Sequence, residues 1–144
     1  MYISRVEVSV IADVKENTEK FGSAKEAYNS EIVKKELLRA DREKFICIHL
    51  NTRNRVLSYE VVSVGSLGAS IVEPREVFKA AILANARSII IMHNHPSGDP
   101  NPSEEDIAIT ERLVKAGRIL GISVLDHIII GNKNFYSLSE NGLI

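Results

Sequence analysis

The stretch that decides the fold of this chain is Met92-His93-Asn94-His95-Pro96-Ser97-Gly98-Asp99-Pro100-Asn101-Pro102-Ser103-Glu104-Glu105-Asp106. It holds two of the four histidines in the sequence, at the end of the apolar run 88–92 and just before a loop rich in Pro and Gly. Side chains on a strand repeat with period two, so His93 and His95 point to the same side, about 6.6 Å apart along the chain. One metal ion could therefore contact both imidazoles.

A third ligand is expected where the loop ends. After Ser103, apolar residues recur at helical spacing, which predicts a helix with Asp106 in its first turn. Two imidazoles and one carboxylate suit zinc, and three protein ligands with a fourth position open to water are typical of a catalytic site. Simpler explanations remain open: Ser103 and Asp106 also fit a capping box, and the histidines could end a buried strand with backbone partners.

Length and composition predict one soluble domain. The chain has 144 residues, a formal charge of −1, no apolar stretch long enough to span a membrane and no signal-peptide pattern at its start, so a cytoplasmic location is expected. The single cysteine, Cys47, lies among apolar residues and is predicted to be a buried thiol. Eighteen basic residues against nineteen acidic ones give no basic excess of the kind that supports broad phosphate binding.

The order of predicted elements indicates an α/β domain with a mixed sheet. Two strands form a hairpin, helices cross over to further strands in the right-handed sense, and the histidines lie at the carboxyl end of a strand, where ligand sites are common. The small-residue loop 65–70 lacks the pattern of a phosphate cradle. The predicted strands are 2–14, 43–50, 55–64, 87–92, 124–130 and 135–138, and the predicted helices are 23–40, 73–85 and 103–120.

The motif His93-x-His95-Pro96 followed by Ser103-x-x-Asp106 resembles that of the JAMM/MPN zinc metalloproteases, and the longer run His-Asn-His-Pro-Ser-Gly-Asp-Pro-x-Pro-Ser-x-x-Asp resembles their bacterial RadC-like branch. The resemblance covers most of the chain from about Ser23, and it continues through Asp41-Arg42-Glu43-x-Phe45, Gly65-Ser66-Leu67, Pro74-Arg75-Glu76-Val77-Phe78 and Asp126-His127. It implies a three-layer α/β/α sandwich related to the cytidine deaminases. Residues 23–144 would form this domain, and residues 1–22 an N-terminal strand and linker.

The same resemblance implies a function. It is zinc-dependent cleavage of a peptide or isopeptide bond in a peptide or protein substrate, with His93, His95 and Asp106 as metal ligands. Glu43 matches the family's upstream glutamate, which acts as general base and acid, and Ser103 would donate to the oxyanion. Glu73 and Glu76 are weaker rivals for the base, because a helix start explains both.

Three points qualify the resemblance. Asn94 stands where the deubiquitinating branch usually has Ser or Thr, so ubiquitin-type substrates are not implied. Full-length members of the RadC-like branch carry a helix-hairpin-helix domain ahead of the catalytic one, for which this sequence has only about twenty residues. The roles of Asp126 and His127 stay open: His127 could orient a ligand or be a satisfied strand residue.

Two alternatives belong to other functional classes. One is a DNA-repair-associated accessory protein with a structural or vestigial metal, although the charge gives nucleic-acid binding no support. The other, a nucleobase deaminase on the related fold, needs a Pro-Cys-x-x-Cys motif, and a single cysteine excludes it.

Overall fold

A mixed five-stranded sheet forms the centre of the protein, with strand order β2-β1-β3-β4-β5. The computed structural model describes residues 3–7, 19–65 and 72–144. The elements are α1 (Ala24–Tyr28), α2 (Glu31–Glu36), β1 (Lys44–Leu50), β2 (Val56–Val64), α3 (Pro74–Leu83), β3 (Ser88–Asn94), α4 (Glu104–Leu120), β4 (Ser123–Ile130) and β5 (Phe135–Ser137).

The strand pairing follows from the connections. β1 and β2 form the predicted antiparallel hairpin, and β3 is antiparallel to β1 on its other side. β3 and β4 are parallel, which requires a crossover of a dozen or more residues, and the seventeen-residue helix α4 supplies it. The short β5 closes the other edge antiparallel to β4.

The sheet is covered on both faces, because its strands bury apolar side chains in both directions. The small helices α1 and α2 cover one face, where their apolar side chains pack on Ile46, Ile48 and Met92. The longer helices α3 and α4 cover the other face, where Phe78 and Leu113 pack with Cys47 and with apolar residues of β3. The mixed sheet predicted from the order of elements is confirmed, and its two covered faces give the three-layer α/β/α arrangement that the resemblance implies. Cys47 is buried as predicted, and burial raises the pKa of its thiol.

The predicted helix 23–40 is wrong in its extent. The structure has two short helices in its place, and each begins with its own serine cap: Ser23 accepts from the backbone N–H of Glu26, and Ser30 from that of Val33. A serine side chain competes for backbone N–H groups, so Ser30 favours a new helix start over the continuation of α1. After α2 the chain leaves helical geometry and runs to Glu43.

The N-terminal prediction is tested only in part. Within the predicted strand 2–14, the described residues 3–7 form no strand, and the others lie outside the described residues, as do residues 66–70 of the small-residue loop. Further along, Lys20 forms an isolated antiparallel bridge with Arg55, beside the start of β2. In the described part of the chain, no helix is long and apolar enough to cross a membrane.

Candidate metal centre

Three elements meet at the carboxyl end of β3. His93 is the penultimate residue of β3, and His95 follows directly after the strand ends. Phe45 of β1 pairs with His93, so Glu43, two residues before Phe45, lies beside this end of the neighbouring strand. Asp106 comes from the first turn of α4, the helix that packs on β4 next door. Residues far apart in sequence are therefore brought to one edge of the sheet.

The side chains of these four residues face one another. The Nε2 atoms of His93 and His95 lie 3.0 Å apart. The two oxygens of Asp106 divide between them, with Oδ1 at 3.3 Å from His93 Nε2 and Oδ2 at 3.1 Å from His95 Nε2. Oε1 of Glu43 lies 3.8 Å from His93 Nε2. His93 and Asp106 are buried, while the side chains of His95 and Glu43 are 17% and 16% exposed, so solvent reaches the cluster from their side.

Two sets of three groups could hold a metal ion here. The ligand atoms of Glu43, His93 and His95 all lie within 4.8 Å of one another. Asp106 contacts both imidazoles at distances shorter than the one between Glu43 and His93. Either carboxylate could therefore be the third group beside the two imidazoles, and Glu43 faces them from the more exposed side.

The hydrogen bonds of His95 require either a proton on its Nε2 or a bound metal ion between this atom and Asp106. Nδ1 of His95 lies 2.7 Å from the backbone carbonyl of Asp99. A carbonyl only accepts, so Nδ1 carries the hydrogen and Nε2 of the neutral ring presents a lone pair. That lone pair faces the Asp106 carboxylate at 3.1 Å, and two acceptors at this distance require a proton or a metal ion between them. The donor set, imidazole nitrogens with carboxylate oxygens, is one that zinc prefers.

Electrostatics at the cluster agree with this requirement. The hydrogen bond to Asp106 raises the pKa of His95 above the usual histidine value, against the effect of its burial. Burial alone would raise the pKa of Asp106, but His93 and His95 outweigh it and hold that pKa well below its usual range. Asp106 is therefore an anion at neutral pH, and a proton and a metal ion would compete for the lone pair of His95.

Ser103 and Asp106 form the predicted capping box at the start of α4. The hydroxyl oxygen of Ser103 accepts from the backbone N–H of Asp106 at 3.1 Å, and Asp106 Oδ2 accepts from the backbone N–H of Ser103 at 2.9 Å. Among the described residues the Ser103 hydroxyl takes part only as an acceptor, so its hydrogen can still be donated to another group.

A family model now adds to this geometry. The model described as RadC-like JAB domain matches residues 22–143. The chain belongs to the RadC-like JAB domain family. Relatives named UPF0758 protein include one from Methanosarcina mazei, 50% identical over 131 residues (91% of this chain, 56% of the relative), and one from Desulforamulus reducens, 56% identical over 113 residues (78% and 50%). The chain spans about half the length of the curated relatives it matches.

In this RadC-like JAB domain, Asn94 has a definite structural task. Its Oδ1 accepts from the backbone N–H of Lys44 at 2.8 Å, and its Nδ2 donates to the backbone carbonyl of Arg42 at 3.0 Å. The buried amide therefore fixes the backbone on both sides of Glu43. Sequence reasoning noted Asn94 only as a departure from a related branch, since no local pattern shows that its partners lie about fifty residues away.

His127 and Asp126, whose roles the sequence left open, have different surroundings. The fully buried His127 places Nε2 at 2.7 Å from Nδ1 of His93 and Nδ1 at 2.6 Å from the hydroxyl of Thr110. Burial lowers the pKa of His127 well below its usual value. Asp126 instead accepts from the hydroxyl of Ser137 and the backbone N–H of Ser139, which ties β4 to the chain after it. Sequence reasoning did not name Thr110, although it lies one helical turn after Asp106.

The rivals of Glu43 are engaged elsewhere in the RadC-like JAB domain. Glu73 precedes α3 and pairs with Arg112 of α4 at 3.2 Å, and Glu76 pairs with Lys79 on the surface of α3 at 3.6 Å. Of these three glutamates, Glu43 is the one that faces the histidines.

The loop between His95 and Ser103 is fastened to the turn after β4. The backbone N–H of His95 donates to the Ile130 carbonyl, and that of Asn132 donates to the Gly98 carbonyl, both at 2.8 Å. Beside His95, this loop and the chain after α2 border an open cavity of about 520 Å³. The charged groups of its described lining, apart from His95, are the cations Arg39 and Lys133.

Proposed function

We propose that this domain is a zinc-dependent metallohydrolase that cleaves a peptide or isopeptide bond. The observation that carries the proposal is the convergence of two imidazole Nε2 atoms and the Asp106 carboxylate on one point, with Glu43 beside them. In this proposal His93, His95 and Asp106 would hold the zinc, and three protein ligands are typical of a catalytic zinc site. When bound, zinc supplies Lewis acidity and makes water a nucleophile at neutral pH.

Glu43 is the general base and acid of the proposed reaction. It takes a proton from the attacking water as the new carbon–oxygen bond forms, and it returns a proton to the leaving nitrogen as the carbon–nitrogen bond breaks. Three features suit it to this role: it faces the histidines, it is partly exposed, and the Asn94 amide holds its backbone on both sides. A carboxylate at the solvent side of the cluster can exchange protons with both water and substrate.

Ser103 is the proposed oxyanion donor. Its hydroxyl oxygen accepts from the N–H of Asp106, so the capping bond orients the side chain. The O–H has no acceptor among the described residues and can donate to a substrate. Such a donor is worth about 3 kcal/mol of transition-state stabilisation in acyl transfer.

The cavity beside His95 is the proposed place for the substrate segment next to the scissile bond. Tyr28 and Ile130 supply apolar surface there, and Arg39 and Lys133 supply positive charge. No described carboxylate lines it, so a neutral or acidic peptide segment suits the cavity better than a basic one.

The test compares the zinc-loaded wild type with Glu43→Gln on a library of peptides and isopeptides, with single-stranded DNA as a control. We expect about one zinc per chain in both proteins, and turnover in Glu43→Gln lower by about 10²–10⁴-fold. The matched control is Glu76→Gln, which alters a surface ion pair on α3 and should turn over like the wild type. A wild type that holds no zinc after loading would overturn the proposal, as would a Glu43→Gln variant with full activity.

A further inference from the structure

Three buried side chains, those of His93, His127 and Thr110, are joined in series by hydrogen bonds on the side of His93 away from the proposed zinc. We call this series the relay. Nδ1 of His93 contacts Nε2 of His127 at 2.7 Å, and Nδ1 of His127 contacts the hydroxyl of Thr110 at 2.6 Å. The Thr110 hydroxyl also lies 2.6 Å from the backbone carbonyl of Asp106. The relay therefore starts at one proposed ligand, His93, and ends at the backbone of another, Asp106.

The direction of every hydrogen bond in the relay can be deduced by starting from the Asp106 carbonyl. A carbonyl has no hydrogen, so the Thr110 hydroxyl donates its only hydrogen to Asp106. The oxygen of Thr110 must then accept from Nδ1–H of His127. A charged His127 would be a fully buried cation whose two ring contacts are another imidazole and a hydroxyl, so the neutral ring is favoured and its Nε2 is an acceptor.

The last step fixes His93. Because His127 Nε2 accepts, Nδ1 of His93 must carry the hydrogen, and Nε2 of the neutral His93 ring is left with a lone pair. Nε2 is the atom that faces Asp106 and His95. The opposite tautomer of His93 would place a hydrogen on that atom and block it as a ligand.

We propose that Thr110 and His127 are positioning residues that fix the tautomer of His93, so that its Nε2 lone pair is available to the metal. The purpose of this relay rests on the proposed metal site, but its hydrogen-bond directions do not. Partners on the far nitrogen of a ligating histidine are known to set its tautomer and orientation. Here that partner is a second histidine, whose own tautomer is set by a threonine one helical turn after Asp106.

The experiment compares Thr110→Val with Thr110→Ser. Valine has nearly the shape of threonine but no hydroxyl, so Nδ1–H of His127 would have no acceptor. We expect His127 to shift its hydrogen to Nε2 and donate to His93, which then carries its hydrogen on Nε2. Serine keeps the hydroxyl and should keep the wild-type arrangement.

Two measurements read the result. The first is nitrogen NMR of the imidazoles in metal-free protein at about pH 8, where ordinary histidines are neutral, and the chain has only four histidines to assign. The second is zinc affinity by competition with a chelator, which should fall about 10–100-fold in Thr110→Val and stay near the wild-type value in Thr110→Ser. A purely structural role for Thr110 would lower the melting temperature without changing the tautomer of His93.

The outcomes separate this inference from the proposed function. A His93 that keeps Nδ1–H in folded Thr110→Val overturns the relay, whatever the wild type does with zinc. A tautomer switch in a protein that binds no zinc supports the relay and overturns the proposed function. If Thr110→Val does not fold, His127→Gln and His127→Phe replace it: glutamine can accept from His93 and should preserve its tautomer, whereas phenylalanine cannot accept. Equal His93 tautomers in those two variants would overturn the relay.

Discussion

Ser103 and Asp106 exchange two hydrogen bonds at the start of α4, and the same oxygen of Asp106 that accepts from Ser103 also faces His95. The capping box therefore stabilises the helix and orients the carboxylate toward the histidines. One local motif, readable in the sequence, serves both tasks.

The two tasks of Ser103 can be separated by substitution. Ser103→Ala should lose the cap, which costs about 1 kcal/mol of unfolding free energy, together with most turnover. Ser103→Asp keeps a capping acceptor but has no hydroxyl to donate, so we expect near wild-type stability with turnover about 10²–10³-fold lower. Chemical denaturation and steady-state kinetics provide the two measurements. Full activity in Ser103→Asp would show that the serine is only a cap.

Asn94→Ala tests whether the two hydrogen bonds of the Asn94 amide to the backbone beside Glu43 hold this glutamate in place. The substitution leaves the Lys44 N–H and the Arg42 carbonyl without their buried partner, which should cost about 2–4 kcal/mol of stability. We expect zinc content near that of the wild type, because both histidines remain, but lower turnover, because Glu43 is no longer held. Asn101→Ala in the exposed part of the loop is the control, with an expected change within about 0.5 kcal/mol. Loss of zinc from Asn94→Ala would instead show that the two hydrogen bonds of Asn94 position the metal ligands.

Gly131→Ala tests the fastening of the loop that follows His95. A Cβ at this position would meet Asn134 Oδ1, lie 2.5 Å from the Gly98 carbonyl oxygen and lie 2.8 Å from Pro100. The loop must move to make room, so we expect a loss of about 1–3 kcal/mol in stability and a weaker zinc affinity. Gly22→Ala is the control, since the atoms nearest to its Cβ would belong to the flexible carboxylate of Glu26, the closest at 3.3 Å. A wild-type zinc affinity in Gly131→Ala would show that the loop does not position His95.

His49 predicts a dependence of stability on pH. It is buried, its Nδ1 lies 2.7 Å from the Ser58 hydroxyl, and its Nε2 has no hydrogen-bond partner in the described part of the chain. Burial lowers its pKa to about 4. Below about pH 6.5 His49 is protonated in the unfolded chain but stays neutral in the folded protein, because its pKa is lower there. The free energy of unfolding therefore falls as the pH drops from about 6.5 to about 4.

The size of the effect is on the order of 3 kcal/mol at the low end of that range. Denaturant unfolding of metal-free protein at several pH values measures it, and the difference between the wild type and His49→Asn isolates His49 from the histidines of the metal centre. Asparagine keeps a polar atom near Ser58 but does not titrate. Identical pH profiles for the two proteins would contradict the prediction.

Local sequence patterns were sufficient for the parts of the site that local geometry determines. Strand periodicity placed His93 and His95 on one side, and helix-start chemistry placed Asp106 in the first turn of α4. Glu43 came from the resemblance, because the pairing of β1 with β3 is a long-range contact. Neither source showed that Asn94 binds the backbone at Arg42 and Lys44, which also depends on that pairing.

The remaining differences have the same physical origin. Thr110 meets His127 because α4 packs on β4, and His127 meets His93 because β4 pairs with β3. No short sequence pattern encodes either contact. The break between α1 and α2 was a local feature, but the apolar periodicity on both sides of Ser30 concealed it. Competition between a serine cap and continued helix is decided by small energy differences that tertiary packing can reverse.

The hydrogen bonds between Asn94 and the backbone beside Glu43 also have a consequence for protein engineering. Transplanting only residues 93–106 into another scaffold would carry over both histidines and Asp106. It would leave behind Glu43 and the backbone at Arg42 and Lys44 to which Asn94 is hydrogen-bonded. The buried support that His127 gives to His93 would also stay behind. We expect such a graft to sequester metal without turning over substrate. A graft that keeps all of these groups must run from Arg42 through β1 and from β3 through β4, including the loop between His95 and Ser103.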